Sequence, residues 1–207
     1  VDEIATLYRG RSLSFGVELG PPAEPADLLT WLKKHRLRRT VATAMRWRST
    51  SGVLPPSDPR VVLALTPQDR AEVARLCCDA FNMPAAVASL LAEAGADPRW
   101  RHWMCRQDGQ VVAAALSYAD GYKAWLGWDA THESARAQGL HAALIGARVR
   151  AAAEQGCRYL TTETAADTPA RSDPSGRNYQ RLGFEVAYVR LTYAALRTSA
   201  GPRGAER

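Results

Sequence analysis

The chain has 207 residues, of which 46% are hydrophobic and 23% charged, as in globular proteins that bury a core. No apolar run comes near the roughly 20 residues that a membrane helix requires, which argues against a membrane protein. The net charge of +6 is spread over every segment, which favours solvated surfaces and attraction to a polyanionic small ligand over nucleic-acid binding.

The cysteine pattern and the start of the chain bear on location. The four cysteines show no C-x-x-C spacing, which argues against a zinc site and a disulfide framework. Because this cysteine usage suits a reducing compartment, we expect a cytoplasmic protein. The chain begins at Val1. We therefore expect an N-terminus that is processed or that belongs to a longer protein.

The first 50 residues predict a strand, a helix and a second strand. Polar and apolar residues alternate over 12–19 and again over 41–48, which is typical of half-buried strands, and apolar residues recur at helical spacing over 25–35. Ser, Pro and Gly are concentrated at 51–60, within a stretch that begins near residue 49. We therefore expect a linker at 51–60 between an N-terminal unit, residues 1–50, and a larger domain.

The larger domain is expected to run from residue 61 to 196 and to begin with a strand and two helices. Thr66 and Pro67 stand where a helix N-cap and first position would be, and Asp108-Gly109 is a strong hairpin signal. The elements predicted up to residue 130 are a strand at 61–65, helices at 66–81 and 83–94, and strands at 99–106, 110–118 and 122–130.

A loop at 131–139 then leads into an alanine-rich helix that ends near Gly156. The elements predicted after it are a strand at 157–164, a polar loop at 167–176, a short helix at 177–182 and a strand at 184–193, and residues 197–207 are expected to be disordered. This order predicts an α+β fold, in which helices pack on a mixed, mostly antiparallel sheet.

The loop that opens the alanine-rich helix has the character of an anion site. The first turn of a helix leaves N–H groups without partners, and the helix dipole places partial positive charge there. Gly139 would allow a ligand to approach the backbone closely. The pattern therefore predicts binding of a phosphate group.

Two motifs resemble those of the GNAT superfamily of acyl-CoA-dependent N-acyltransferases, over about residues 60–195. The stretch Arg136-Ala137-Gln138-Gly139-Leu140-His141 is similar to the family's Q/R-x-x-G-x-G/A loop, which holds the CoA pyrophosphate. About 40 residues later, Asn178-Tyr179-Gln180-Arg181-Leu182-Gly183-Phe184 is similar to the family's closing motif. His141 departs from the pattern, because Gly or Ala is usual at that position.

The resemblance implies acetyl-CoA as cosubstrate and no metal. It implies a sheet that splays between the fourth and fifth strands of the domain, where pantetheine binds the strand backbone, and direct attack of an amine on the thioester in a ternary complex. The residues expected to hold acetyl-CoA are Asp129, Ala130, Thr131, Arg136, Ala137, Gln138, Gly139, Leu140, His141, Ala142 and Asn178.

The resemblance also suggests catalytic residues. Tyr179 is the candidate general acid; the alternative is an aromatic side chain that only fills the core. Many members carry a basic glutamate in the fourth strand, at a position that Trp125 occupies here. Glu163 is therefore the candidate base, and Asp129, Glu133 and a water chain remain alternatives.

The acceptor is expected to be a small-molecule or peptide amine, with no nucleic-acid or membrane partner, bound by a monomer or homodimer. A CoA-binding module without catalysis and, more weakly, a nucleic-acid-associated protein are the competing hypotheses. Residues 1–50 faintly resemble the closing part of the domain that follows. They are either a partial GNAT-like module of a tandem protein or an unrelated extension.

Overall fold

The structure is a computed structural model that describes residues 2–11, 15–21, 26–168 and 172–195. Its helices are α1 (Asp2–Gly10), α2 (Ala26–Lys34), α3 (Pro67–Ala80), α4 (Ala85–Ala94), α5 (Leu140–Glu154) and α6 (Pro174–Arg181), with a 3-10 turn at Glu133–Ala135. Its strands are β1 (Gly16–Leu19), β2 (Arg38–Ser49), β3 (Val62–Leu63), β4 (Trp100–Gln107), β5 (Gln110–Asp120), β6 (Lys123–Thr131), β7 (Tyr159–Ala165) and β8 (Glu185–Ala194). None of the helices described is long and apolar enough to span a membrane.

The predicted α+β fold with a mixed sheet is confirmed, and the predicted order of elements from β3 onward is the order observed. Helix α1 was not predicted. Helix α6 begins at Pro174 rather than near residue 177, because Asp173 accepts hydrogen bonds from the first turn and proline suits the first helical position. Residues 12–14 of the first predicted strand and the predicted disorder at 197–207 lie outside the described residues.

The chain divides into two compact units, and the first contains residues 1–44 and 188–207. Here β1 pairs antiparallel with β8, and the core consists of Leu19, Leu32 and Leu37. The Asp2 carboxylate accepts hydrogen bonds from Trp31 Nε1 at 2.8 Å and, when the ring nitrogen carries the proton, from His35 Nε2 at 2.7 Å. These bonds attach α1 to α2.

The second unit contains residues 45–187, and its strands follow the order β2-β7-β6-β5-β4-β3. Helices cover both faces of its sheet. On β5, Ala114 and Leu116 pack in a core with α3 and α4, whereas Ala113 and Ala115 pack in a core with α5. The alternation arises because successive strand residues point to opposite faces. The four cysteines are reduced and buried in this unit.

Strands β6 and β7 run parallel and separate part of the way along. Their paired residues extend from Lys123–Tyr159 to Leu126–Thr162, but β6 continues to Thr131. Just beyond the last pair, the β5–β6 register shifts at a bulge in which Trp128 adopts a φ of 57°. The separation leaves a gap between the ends of the two strands.

Candidate active site

A cleft of about 620 Å³ lies in the second unit, between the end of β6, the start of α5 and one side of α6. Every residue predicted to hold acetyl-CoA lines this cleft except Gln138. The lining residues that the sequence did not indicate are Ala80, Phe81, Ala135, Pro174, Ser175 and Arg181. The structure therefore brings together, in one cavity, residues from three separate parts of the sequence.

The N-terminus of α5 opens into the cleft. Gly139 is its N-cap, with a φ of 77°, and a Cβ built there would meet nothing within 4 Å. Among the described residues no side chain caps this helix, whereas Thr66 caps α3 and Asp173 caps α6. The first-turn N–H groups of α5 are thus without a side-chain acceptor, in a place where the helix dipole favours an anion.

Gln138 shapes the loop rather than the cleft. Its side-chain oxygen accepts a hydrogen bond from Gln107 at 2.7 Å, and its backbone carbonyl accepts one from Arg60 at 3.1 Å. Both bonds tie the loop to neighbouring parts of the unit. Its predicted role in holding acetyl-CoA stays a prediction.

A buried polar network forms one wall of the cleft. The Tyr179 hydroxyl donates to Asp129 Oδ2 at 2.6 Å, and the Arg148 guanidinium donates to Asp129 Oδ1. His141 Nε2 lies 3.5 Å from Asp129 Oδ1, and His141 Nδ1 lies 3.0 Å from the side-chain nitrogen of Asn178. The network therefore joins β6, α5 and α6.

The electrostatics of this network fix its protonation. Burial alone would raise the pKa of Asp129, but Arg148, His141 and Tyr179 together lower it well below its usual value. Burial raises the pKa of Tyr179, and the Asp129 charge adds to this while Arg148 opposes it. Near neutral pH the carboxyl is therefore ionised and the phenol protonated.

Tyr179, the candidate acid, lies directly behind the cleft wall. Its side chain is fully buried, and its ring packs edge-on against Phe184 and His141, with centroids 5.0 and 5.8 Å away. It does not line the cleft, but its hydroxyl binds Asp129, which does. Its role as an acid stays a prediction.

Glu163, the candidate base, lies on β7 just past the last residue that pairs with β6. Leu126 and Leu160 belong to the core beneath α5, so their neighbours Trp125 and Thr161 are on the opposite face. Because side chains alternate along a strand, Glu163 shares that opposite face with Trp125. It is exposed and does not line the cleft, and its role also stays a prediction.

The alternative bases have different surroundings. Asp129 is committed to Arg148 and Tyr179, and Glu133 is exposed in the 3-10 turn. The part of the chain that the structure describes contains no group of three His, Cys, Asp or Glu side chains that could hold a metal ion.

Arg148, behind the cleft wall, is a further residue that the sequence analysis missed. Its side chain is fully buried and contacts Asp129 and Tyr179. A signal was present, because Leu144, Arg148 and Ala152 recur every four residues and share one face of α5. An arginine within such an apolar stripe indicates a buried, partnered charge.

Comparisons with known proteins identify the family of the chain and similar folds. A family model described as the acetyltransferase (GNAT) family matches residues 70–184, more than half of the chain. No curated protein matches the sequence. The chain is similar in fold to a GCN5-related N-acetyltransferase from Sphaerobacter thermophilus, with a TM-score of 0.71 and 17% identity over 93% of this chain and 64% of that one.

Two further solved structures are similar. A GCN5-related N-acetyltransferase from Kribbella flavida gives a TM-score of 0.68 at 19% identity, over 93% of this chain and 72% of that one. A tandem GNAT protein from the clavulanic acid biosynthesis pathway gives 0.65 at 16%, over 93% and 67%. At these identities the likeness shows the fold alone, and this chain spans 64% of the length of the Sphaerobacter protein. On its sequence match and its fold, the chain belongs to the GNAT acetyltransferase family.

Proposed function

We propose that this chain binds acetyl-CoA in the cleft and transfers the acetyl group to a primary amine. The observation that carries the proposal is the uncapped N-terminus of α5, which opens into a cleft at the separation of β6 and β7. By contrast, Thr66 and Asp69 close the first turn of α3. Among the described residues no side chain caps α4 either, but its start does not line the cleft.

Features of the cleft suit two parts of acetyl-CoA, the pyrophosphate and the pantetheine. The first-turn N–H groups of α5 suit the pyrophosphate, and Arg136 and Arg181 add positive charge to the walls. The end of β6, from Asp129 to Thr131, has left its pairing with β7, so its backbone groups can bind the pantetheine amides. Acetyl-CoA supplies the activated acetyl thioester.

The residues around the cleft would transfer protons and hold the amine beside the thioester. The amine nitrogen attacks the thioester carbonyl, a C–N bond forms and the C–S bond breaks, with proximity providing much of the rate. Glu163, on the face of the sheet that Trp125 shares, would take the proton that the amine loses. Tyr179, whose hydroxyl stays protonated near neutral pH, would donate to the departing thiolate.

Release of free thiol in the presence of a panel of small amines and peptides tests the function. We expect release that requires both acetyl-CoA and an amine. Tyr179→Phe and Glu163→Gln should each lower kcat roughly 10- to 100-fold, with small effects on acetyl-CoA affinity in both. An unchanged kcat in either variant would show that the substituted residue has no part in the mechanism.

The second candidate function is a CoA-binding module without catalysis, which Trp125 favours because it occupies the position of the family's usual base. Binding of acetyl-CoA without thiol release from any amine would support it. We further propose a small-molecule or peptide amine as acceptor, a cytoplasmic location, and a monomer or homodimer that uses neither nucleic acid nor a membrane.

A further inference from the structure

Arg148 is an unusual residue for the middle of a helix that packs on a sheet. Its side chain has 0% exposure, and burying a charge is costly unless it is paired and hydrogen-bonded. Nε donates to Leu144 O, one turn earlier on α5, at 3.1 Å. The two other nitrogens reach the sheet and α6.

One of these nitrogens stabilises the bulge of β6. Nη1 donates to Leu116 O at 3.1 Å and to Gly127 O at 3.4 Å, two carbonyls beside the place where the β5–β6 register shifts. A bulge disrupts the regular ladder and so leaves carbonyls in need of a donor. The guanidinium therefore bonds both strands of the β5–β6 pair where β6 turns away toward the cleft.

The other nitrogen, Nη2, contacts Asp129 and Tyr179 behind the cleft wall. Nη2 donates to Asp129 Oδ1 and lies 3.4 Å from the Tyr179 hydroxyl, while Oδ2 of the same carboxylate accepts a hydrogen bond from that hydroxyl. Tyr179 packs in one cluster with Leu126, a residue of the last β6–β7 pair. The hydroxyl is therefore held near the point where the strands separate.

We infer that Arg148 is a positioning residue for acyl transfer: it fixes the β6 bulge and, through Asp129, aims the Tyr179 hydroxyl at the point of strand separation. The inference rests on the proposed function. Lysine could not take this place, because a single ammonium cannot reach two carbonyls and a carboxylate in the fixed directions of a planar fork.

A double-mutant cycle on kcat tests the inference, using the full chain at saturating acetyl-CoA and an amine that the wild-type protein accepts. Arg148→Met and Tyr179→Phe should each lower kcat roughly tenfold or more. If Arg148 acts through Tyr179, the double variant should be no slower than the slower single variant, within about twofold.

Arg48→Met is the matched control. Arg48 is also buried in this unit, but among the described residues its guanidinium donates to the backbone carbonyls of Ser49, Val53 and Leu182, and it does not line the cleft. Its loss should reduce stability and leave kcat of the folded protein within about twofold, in either background. If Arg148→Met does not fold, Arg148→Lys, which keeps the charge, replaces it in the cycle.

The outcomes separate the two proposals. Losses that multiply in the double variant, or an Arg48→Met variant that behaves like Arg148→Met, would overturn the positioning role alone. Absence of thiol release from the wild-type protein with every amine would overturn the proposed function and the inference with it.

Discussion

Asp129 is the residue on which the buried network depends. It neutralises Arg148 and accepts a hydrogen bond from the Tyr179 hydroxyl, and its side chain is only 13% exposed. Removing one partner of a buried ion pair leaves the other charge without compensation. We expect Asp129→Asn to lower the free energy of unfolding by about 3 kcal/mol, measured by urea denaturation at pH 7. A loss as small as that of Asp97→Asn, whose partner Arg99 is on the surface, would contradict this.

The same carboxylate makes stability depend on pH. Because the folded state lowers the pKa of Asp129, its contribution is complete above the ordinary aspartate pKa and is lost as pH falls below about 4. We expect the Asp129→Asn and wild-type proteins to approach each other in stability as pH decreases from 7 to 3. A difference that stayed constant over this range, in parallel urea titrations, would show that the pair contributes nothing through ionisation.

Gly139 combines a left-handed backbone with open space. A φ of 77° costs a residue with a Cβ roughly 1–2 kcal/mol, although the new methyl group would touch nothing. We expect Gly139→Ala to lose that stability and to bind acetyl-CoA more weakly. Gly109→Ala is a close control, since Gly109 has a φ of 78° and equally open space in the β4–β5 turn, away from the cleft. It should lose similar stability with unchanged acetyl-CoA affinity in titration calorimetry.

At the scale of elements, a side-chain cap fixes the start of one helix that lines the cleft. Asp173 accepts hydrogen bonds from the N–H groups of Ser175 and Gly176 and so fixes the start of α6, which carries the lining residues Asn178 and Arg181. We expect Asp173→Ala to cost about 1 kcal/mol of stability and to weaken acetyl-CoA binding.

The control for that cap is Thr66→Ala at the start of α3. Its capping box should contribute a similar stability, but its first turn lies outside the cleft lining. Equal effects of the two substitutions on acetyl-CoA affinity, compared by calorimetry, would contradict a special role for the start of α6.

The elements of the second unit could be predicted because their signals are local. The Thr66-Pro67 start, the Asp108-Gly109 hairpin and Gly156 at the end of α5 each depend on a few neighbouring residues. Helix α1 was missed although Asp2 and Glu3 stand in its first turn, and it is held by the bonds of Asp2 to α2. Its stability comes from a contact distant in sequence.

The site likewise could be predicted only where its signals are local in sequence. The loop at 136–142 could be recognised since an anion site at a helix N-terminus is encoded in one stretch. The network behind it could not, because Arg148 meets Leu116 and Tyr179 only after the sheet and α6 have formed around α5. The sequence of α5 shows that it carries arginines, but only the apolar face on which Arg148 lies indicates that this charge is buried.

For the whole molecule, three features lie at one cavity. They are the separation of β6 and β7, the uncapped start of α5 and the buried pair of Asp129 and Arg148. A ligand that binds only the folded chain must stabilise it, by about 2.7 kcal/mol at 100 times its dissociation constant. We therefore expect acetyl-CoA to raise the melting temperature in proportion to the logarithm of its concentration. Unchanged melting at every concentration would exclude binding.

The most direct test of the central claim, that the start of α5 holds the CoA pyrophosphate, is titration calorimetry with acetyl-CoA and with acetyl-pantetheine, which carries the same thioester without the nucleotide and its diphosphate. We predict that acetyl-CoA binds with a 1:1 stoichiometry and that acetyl-pantetheine binds at least tenfold more weakly, because it lacks the charge-assisted hydrogen bonds of the diphosphate. Gly139→Ala should reduce the ratio between the two affinities. Equal affinities for the two compounds, or no heat of binding with either, would contradict the account.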